Sequence, residues 1–334
     1  MGNPFFSIII PTYNVAEFIN DTISAIISQT FTDWEVIIVD DGSTDSTPEI
    51  ISKLSENNNF KVILSQQNSG NPFLVRKKAM ELAKGEYIVP IDGDDLVDKD
   101  LLEKLFTEIK SIDVKLAIPE MWRFHNSALK AFYLLPKEEI DKKLTYSGKD
   151  LVKLTLESWK IPMAGFAVSR SIYSAAYKNI TQENENSCYA DELLSRQILF
   201  LADHVGFVNS RYLYRINPSS ITSNKIRTII DGINTNKALI KFCEKEFGFS
   251  SDEFRMALKR HTLFLISSSF NVENETIPKE AKRRVREIIM KEKSDLDFHL
   301  IRKNLSLIYQ IIWQLPMGLG VWILKSLRYL GKKR

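Results

Sequence analysis

The feature that most constrains this chain is an alternation over residues 7–91, where short apolar runs closed by polar turns alternate with amphipathic stretches. Ser7 to Ile10 ends at Pro11, and Glu35 to Val39, rich in β-branched residues, ends at Asp40. Both read as strands buried on two faces, because neither shows the polar alternation of a half-exposed strand. Between them Ile19, Ile23, Ile26 and Ile27 recur at helical spacing, with Asn20, Asp21, Ser24 and Gln29 opposite, as a crossover helix requires. A second helix capped by Ser43 or Asp45 is predicted to about Leu54. A strand at Lys61–Leu64, a helix at Pro72–Lys84 and a strand at Tyr87–Ile91 follow. Such a chain is α/β, built on a parallel sheet. With 334 residues, 44% of them hydrophobic, it has ample apolar material for a core.

In a sheet of this kind ligands bind outside the carboxyl ends of the strands. The residues there are Pro11-Thr12-Tyr13-Asn14, Asp40-Asp41-Gly42-Ser43-Thr44-Asp45, Asn68-Ser69-Gly70 and Asp92-Gly93-Asp94-Asp95. Carboxylates repel a bare phosphate but suit a divalent cation that bridges to one, since such cations take hard oxygen ligands. A single Asp-Gly-Asp is an ordinary solvated turn; several polar and acidic rims on one sheet edge favour the cation. Lys and Arg total 45 against 42 acids, so the chain lacks the basic surface of a non-specific nucleic-acid binder and no nucleic-acid partner is expected. Cys188 and Cys243 have neither zinc nor redox spacing, and His261 and His299 are isolated.

The segments Ser7-Ile8-Ile9-Ile10-Pro11-Thr12-Tyr13-Asn14, Val39-Asp40-Asp41-Gly42-Ser43-Thr44-Asp45 and Ile91-Asp92-Gly93-Asp94-Asp95 resemble, in order and spacing, the family 2 glycosyltransferases of the GT-A fold. Further resemblance runs through Asn68, Gly70, Arg76, Lys84-Gly85-Glu86-Tyr87, Tyr212-Leu213-Tyr214-Arg215-Ile216-Asn217 and Ser220-Ile221-Thr222. It implies a Rossmann-like nucleotide-diphospho-sugar transferase domain with a mainly helical C-terminal extension. Pro11, Thr12, Tyr13 and Asp41 would form the base and ribose pocket, with Arg76 near the nucleotide and Asp92 on the ribose. Asp94 would be the metal ligand of the DXD motif, and Asp95 a second ligand or a supporting acid, for Mg²⁺ or Mn²⁺.

The resemblance also implies a carboxylate base after the DXD, since an acceptor hydroxyl is a poor nucleophile at neutral pH. Tyr189-Ala190-Asp191-Glu192-Leu193-Leu194 has two acids, but in the reverse of the usual Glu-Asp order. Register with the following leucines puts Glu192 at the base position, with Asp191 one residue before it; the competing reading has Asp191 as an N-cap or first-turn acid and Glu192 merely exposed. Arg215 is a weaker candidate for the diphosphate. Polar residues 178–187 read as a mobile loop able to close over the donor. Trp122, Phe124, Phe132, Tyr133, Tyr146 and Trp159 lie in a segment without sheet rhythm, expected on the acceptor side.

The implied activity is inverting and non-processive, since no Gln-x-x-Arg-Trp signature or set of membrane spans is present. A sugar, with UDP the expected carrier, would pass to a glycan or polyprenyl-diphosphate-linked acceptor in bacterial capsule, lipopolysaccharide or exopolysaccharide assembly. A nucleotide-sugar binding protein without turnover is the alternative. The expected division is residues 1–225 as the transferase domain, with a nucleotide-sugar half 1–120 and an acceptor half 121–225, then helical residues 226–334. No secretory or myristoylation signal is read at Met1–Phe6. Leu305 to Leu324 carries no charge, and Lys325, Arg328, Lys332, Lys333 and Arg334 follow without an acid. Gln310, Gln314, Pro316, Gly318 and Gly320 interrupt the run, so an interfacial helix at an anionic membrane is preferred to a packed helix or a span. The expected location is cytoplasmic, at the inner face of the plasma membrane.

Overall fold

A computed structural model describes residues 2–125, 128–131, 146–157, 164–216, 225–274, 278–297, 302, 305–315 and 320. The chain divides into two compact units, Met1–Asn186 with Ala190–Ser219, and Ser187–Tyr189 with Ser220–Arg334.

The first unit is a mixed sheet with helices. The predicted alternation appears as β1 (Phe6–Thr12), α1 (Ile19–Ile27), β2 (Trp34–Asp40), α2 (Thr47–Ser52), β3 (Phe60–Leu64), α3 (Pro72–Leu82) and β4 (Tyr87–Pro90). Helix α2 ends in a 3-10 turn at Lys53–Glu56, two residues past the expected stop. These strands pair in parallel in the order β3-β2-β1-β4. Ile8, Ile9 and Ile10 of β1 and Val36, Ile37 and Ile38 of β2 are wholly buried, which is why neither strand alternates in polarity. Helix α3 starts at Asn71, whose side chain accepts from the Phe73 amide while Pro72 occupies the first turn.

The chain then continues through β5 (Leu96–Val97), α4 (Leu101–Ile112), β6 (Leu116–His125), β7 (Ala128–Ala131), β8 (Tyr146–Ser147), α5 (Gly148–Glu157), β9 (Ala167–Ser169), α6 (Arg170–Lys178), α7 (Gln182–Glu185), α8 (Ala190–Ala202) and β10 (His204–Arg215). Beyond β4 the sheet runs β9-β6-β10-β5, with β9 antiparallel to both β4 and β6, and β10 parallel to β6. The expected boundary at residue 120 therefore falls inside a strand. Residues from Met121 that showed no sheet rhythm include the end of β6 and the hairpin strand β7. Within β6, Trp122 and Phe124 are half-buried on one face and Arg123 is exposed on the other, an alternation too short to stand out in the sequence. Tyr146 lies buried in β8; Phe132, Tyr133 and Trp159 lie outside the described residues.

The second unit is helical: α9 (Lys225–Phe247), α10 (Asp252–Asn274), α11 (Lys279–Asp295) and α12 (Leu307–Gln314). Ile229, Ile233, Leu239, Phe242, Leu258, Leu265, Val285 and Ile289 are buried there. His261 is also buried, and neither ring nitrogen has a hydrogen-bond partner among the described residues. No described helix is long and apolar enough to cross a membrane.

Candidate active site

Strand order reverses at β1, which has β2 on one side and β4 on the other, so its carboxyl end is the topological switch point. The turn after β1 and the turn after β2 are stitched to each other. Buried Asp40 accepts from the Thr12 hydroxyl at 3.0 Å, the Ser43 amide at 2.8 Å and the Ser43 hydroxyl at 2.5 Å. Asn14, in the left-handed region at φ 53°, accepts from the Thr44 amide at 2.8 Å. Gly42 sits at φ 71°, and a Cβ there would stand 2.8 Å from the Asn68 nitrogen, so only glycine fits this corner.

The predicted pocket residues line this edge. Thr12 is buried, Pro11 is half-buried and Tyr13 is exposed. Asp41 is buried and oriented by Ser69, whose amide and hydroxyl donate to its two oxygens at 3.0 and 2.8 Å. Arg76, from α3, pairs with Asp92 across the switch point, both side chains being largely covered. Its Nε has no partner among the described residues.

The acids after β4 differ sharply from one another. Asp95 is wholly buried, with Oδ2 accepting from the Tyr212 hydroxyl and Oδ1 from the Arg215 amide at 2.7 Å. Burial, and then the charges of Asp92 and Asp94, hold its carboxyl well above the usual carboxylate range. Asp94 is half-buried at the rim. Arg215 faces this loop, and Nε donates to the Asp94 carbonyl at 2.7 Å. Its guanidinium carbon lies 4.6 Å from the Phe18 ring centroid and 4.5 Å from that of Phe124.

Comparison with known proteins shows the family to which the chain belongs. The model of "Glycosyl transferase family 2" matches residues 7–167. An uncharacterized glycosyltransferase of Haemophilus influenzae is 30% identical over 236 residues, which are 69% of this chain and 86% of that protein. The chain belongs to glycosyltransferase family 2. GlyG of Streptococcus pneumoniae, named a glycosyltransferase, is 26% identical over 219 residues, 64% of this chain and 72% of GlyG. TarS of Staphylococcus aureus, a poly(ribitol-phosphate) β-N-acetylglucosaminyltransferase by name, is 39% identical over 100 residues, but these are 29% of this chain and only 18% of TarS. The crystal structure of S. aureus TarS 1–349 in complex with UDP superposes with a TM-score of 0.55 at 18% identity, covering 94% of this chain and 91% of that one. The same TarS fragment has been solved with UDP-GlcNAc. The GT-A fold is thus shared.

In this family 2 glycosyltransferase the two candidate bases open α8 and have different surroundings. Glu192 turns toward its own helix, where Oε2 lies 3.3 Å from Nη1 of the wholly buried Arg196. Arg196 also donates to the Glu192 carbonyl at 2.8 Å and the Thr155 carbonyl at 2.8 Å, so this pair is anchored. Asp191 shares an environment with Arg76, Asp92 and Tyr177. Burial pushes its carboxyl up to about 6, Arg76 opposes the rise, and Glu192 adds to it.

Within residues 178–187, expected as a mobile loop, lies helix α7. The Glu185 carboxylate pairs with Lys77 and its carbonyl accepts from the buried Asn71 amide group, which ties the segment to the start of α3. Tyr212 carries no role in the sequence reading beyond its place in the Tyr212–Asn217 segment, and Tyr173 and Tyr177 carry none. Tyr212 reaches Asp95, while Tyr173 and Tyr177, one helical turn apart on α6, are buried beside Arg76. The four-residue spacing of the last two is the signal that could have placed them on one face.

Among the described residues no group of three or more His, Cys, Asp and Glu side chains could hold a metal ion. With both Asp95 oxygens engaged by protein donors, a cation here would need oxygens from a bound diphosphate, as is usual for Mg²⁺. The mutual repulsion of Asp92, Asp94 and Asp95 is what such a cation would relieve.

Proposed function

We propose that this glycosyltransferase moves a hexosyl or N-acetylhexosaminyl group from a UDP-sugar to a hydroxyl of a glycan or polyprenyl-diphosphate-linked acceptor, with inversion, one sugar at a time. The assembly served is a bacterial cell-surface polysaccharide, as the name of the relative TarS suggests. The observation that carries the reading is the Arg76–Asp92 pair at the switch point of the sheet, with Asp191 sharing its environment and Asp94 on the same loop as Asp92.

Tyr13, Thr12 and Pro11 cover the base and Asp41 orients it, while Asp92, held by Arg76, takes the ribose. Asp94 would hold a divalent cation, whose chemistry when bound would be to offset charge developing on the departing diphosphate. Asp95 supports that loop and is not itself a ligand. Asp191 replaces Glu192 as the preferred base. A carboxylate titrating near 6 is ionised at neutral pH and a stronger base than an ordinary aspartate, whereas Glu192 is committed to Arg196. Asp191 takes the acceptor proton as the hydroxyl oxygen attacks the anomeric carbon and the bond to the diphosphate breaks. Inversion follows from a single displacement.

Helix α12 exposes Leu307, Tyr309 and Ile311 while burying Ile312 and Trp313. The exposed three suit a lipid surface, and the cations after Leu324 would favour an anionic one. Co-sedimentation with phosphatidylglycerol vesicles at low salt, lost in the Leu307→Ser, Ile311→Ser variant, would support this; equal sedimentation with neutral vesicles would sink it.

The donor site is tested by thermal stabilisation with UDP and UDP-GlcNAc, with and without Mn²⁺, on the wild type and Asp94→Ala. A ligand at about 100 times its Kd raises stability by about 2.7 kcal/mol. Metal-dependent stabilisation that Asp94→Ala loses is expected, together with release of UDP on turnover. Failure of any nucleotide to stabilise the wild type would remove the donor reading, and binding without UDP release would favour an inert binding protein.

A further inference from the structure

The loop Asp92-Gly93-Asp94-Asp95 is held from two elements far away in the chain. The Tyr212 oxygen accepts from the Asp92 amide at 3.2 Å and its hydroxyl donates to Asp95 Oδ2. Three residues along β10, the Arg215 amide donates to Asp95 Oδ1 and its Nε to the Asp94 carbonyl, each at 2.7 Å. From α1 the Thr22 hydroxyl reaches the Gly93 carbonyl at 3.0 Å and the Asp95 carbonyl at 2.8 Å. All four residues of the loop therefore have an anchor outside it.

The anchors are themselves fixed. Tyr212 is wholly buried, and Gly165, at φ 73°, lies so close beneath its ring that a Cβ there would stand 2.4 Å from Cδ2. The Gly165 amide donates to the Pro90 carbonyl at 2.6 Å, which binds the tyrosine's support to the last residue of β4. Arg215 lies between Phe18 and Phe124, with Nη2 3.5 Å from Asp21 Oδ2, and its side chain is only 19% exposed. A guanidinium close to two aromatic rings, with Nε spent on a main-chain carbonyl, is placed to hold the protein, not a phosphate.

We propose that Tyr212 and Arg215 are positioning residues that set the backbone of the acidic loop so that Asp94 presents its carboxylate at the rim, and that Arg215 is not a ligand of the donor diphosphate. The functional consequence rests on the donor reading above; the clamp itself rests on geometry alone. Preorganisation is the benefit, because a loop fixed before binding does not lose that conformational freedom when cation and nucleotide arrive.

The test uses the full chain as wild type, Tyr212→Phe, Arg215→Lys, Arg215→Met and, as a neighbouring control, Tyr214→Phe. Amide hydrogen exchange of a peptide covering the acidic loop, without ligand, is expected to accelerate about tenfold in Tyr212→Phe and Arg215→Met. Tyr214→Phe should leave it unchanged, and exchange in β1 and α3 should match the wild type in every variant. In Mn²⁺ titrations at fixed UDP, the midpoint should rise about tenfold in Tyr212→Phe and Arg215→Met, whereas UDP binding in EDTA, which keeps only the ribose contact of Asp92 in the same loop, should change alike in these two variants. Arg215→Lys should resemble Arg215→Met, because a point charge cannot reproduce the Nε bond and the stacking.

Unchanged loop exchange in both Tyr212→Phe and Arg215→Met would overturn the clamp, as would acceleration throughout the protein. Weaker UDP binding in EDTA for Arg215→Met, restored by Arg215→Lys, would put Arg215 on the phosphates and overturn its positioning role. If the wild type shows no Mn²⁺-dependent UDP binding, the donor reading fails, and the exchange measurement alone decides the clamp.

Discussion

Asp191 and Glu192 are adjacent carboxylates, and exchanging each for its amide separates their roles. With Asp191 titrating near 6, about a tenth of it is ionised at pH 5 and about nine tenths at pH 7, so turnover limited by this base should rise about tenfold over that interval. Asp191→Asn should lower UDP release by about 10²–10⁴-fold while leaving UDP-sugar binding intact. Glu192→Gln should keep turnover but move the acid limb to lower pH, because the Glu192 charge is one of the groups that raise Asp191. The assay is UDP release from saturating UDP-GlcNAc at constant ionic strength between pH 5 and 8, scored as kcat.

Stability supplies a second readout with a definite sign. The folded state holds the Asp191 proton more tightly than the unfolded chain, whose value is near 3.8. The contribution of Asp191 to stability is therefore lost as pH rises from about 4 through about 6. Asp191→Asn, which has no charge to bury, should gain Tm over wild type across that window and keep the gain at pH 7. An acid limb unmoved in Glu192→Gln, or turnover abolished by that change and retained by Asp191→Asn, would refute the assignment.

Three further outcomes follow from particular contacts. Arg76→Met leaves the largely covered Asp92 without its partner, and should cost about 3 kcal/mol in urea unfolding and weaken UDP binding; a loss below about 0.5 kcal/mol would mean the pair is solvated. Gly42→Ala forces a Cβ against the Asn68 and Gln67 backbone at positive φ, and should lower stability by about 1–3 kcal/mol, read as a fall in Tm. Asn71→Ala removes both the α3 cap and the bond to the Glu185 carbonyl, and should cost about 1–2 kcal/mol. Limited proteolysis within 178–187 should quicken in that variant, and an unchanged cleavage rate would show that the segment is held by other contacts.

Much of the first half of the fold was legible because its signals are local. A strand covered on both faces needs an unbroken apolar run, as in Ile8-Ile9-Ile10, and a crossover helix needs the spacing of Ile19, Ile23 and Ile26. The rims follow directly on those strands, so Asp41, Asp92 and Asp94 could be placed at one sheet edge before any tertiary structure was known. From β6 onward the strands are short or half-covered and mix parallel with antiparallel pairing, and their order depends on partners far along the chain. No window of sequence contains that information.

The sequence by itself determined which groups stand at the sheet edge. Tertiary structure alone decided how each of them ionises and what each touches. Asp94 and Asp95 are chemically identical neighbours, yet one stays at the rim while the other is buried against Tyr212, 117 residues away. The proposed preference for Asp191 over Glu192 rests on half-buried Asp191 standing near Arg76, whereas Glu192 falls beside Arg196 on its own helix. Desolvation and Coulomb interaction depend on distance in space, and only the packed chain sets those distances.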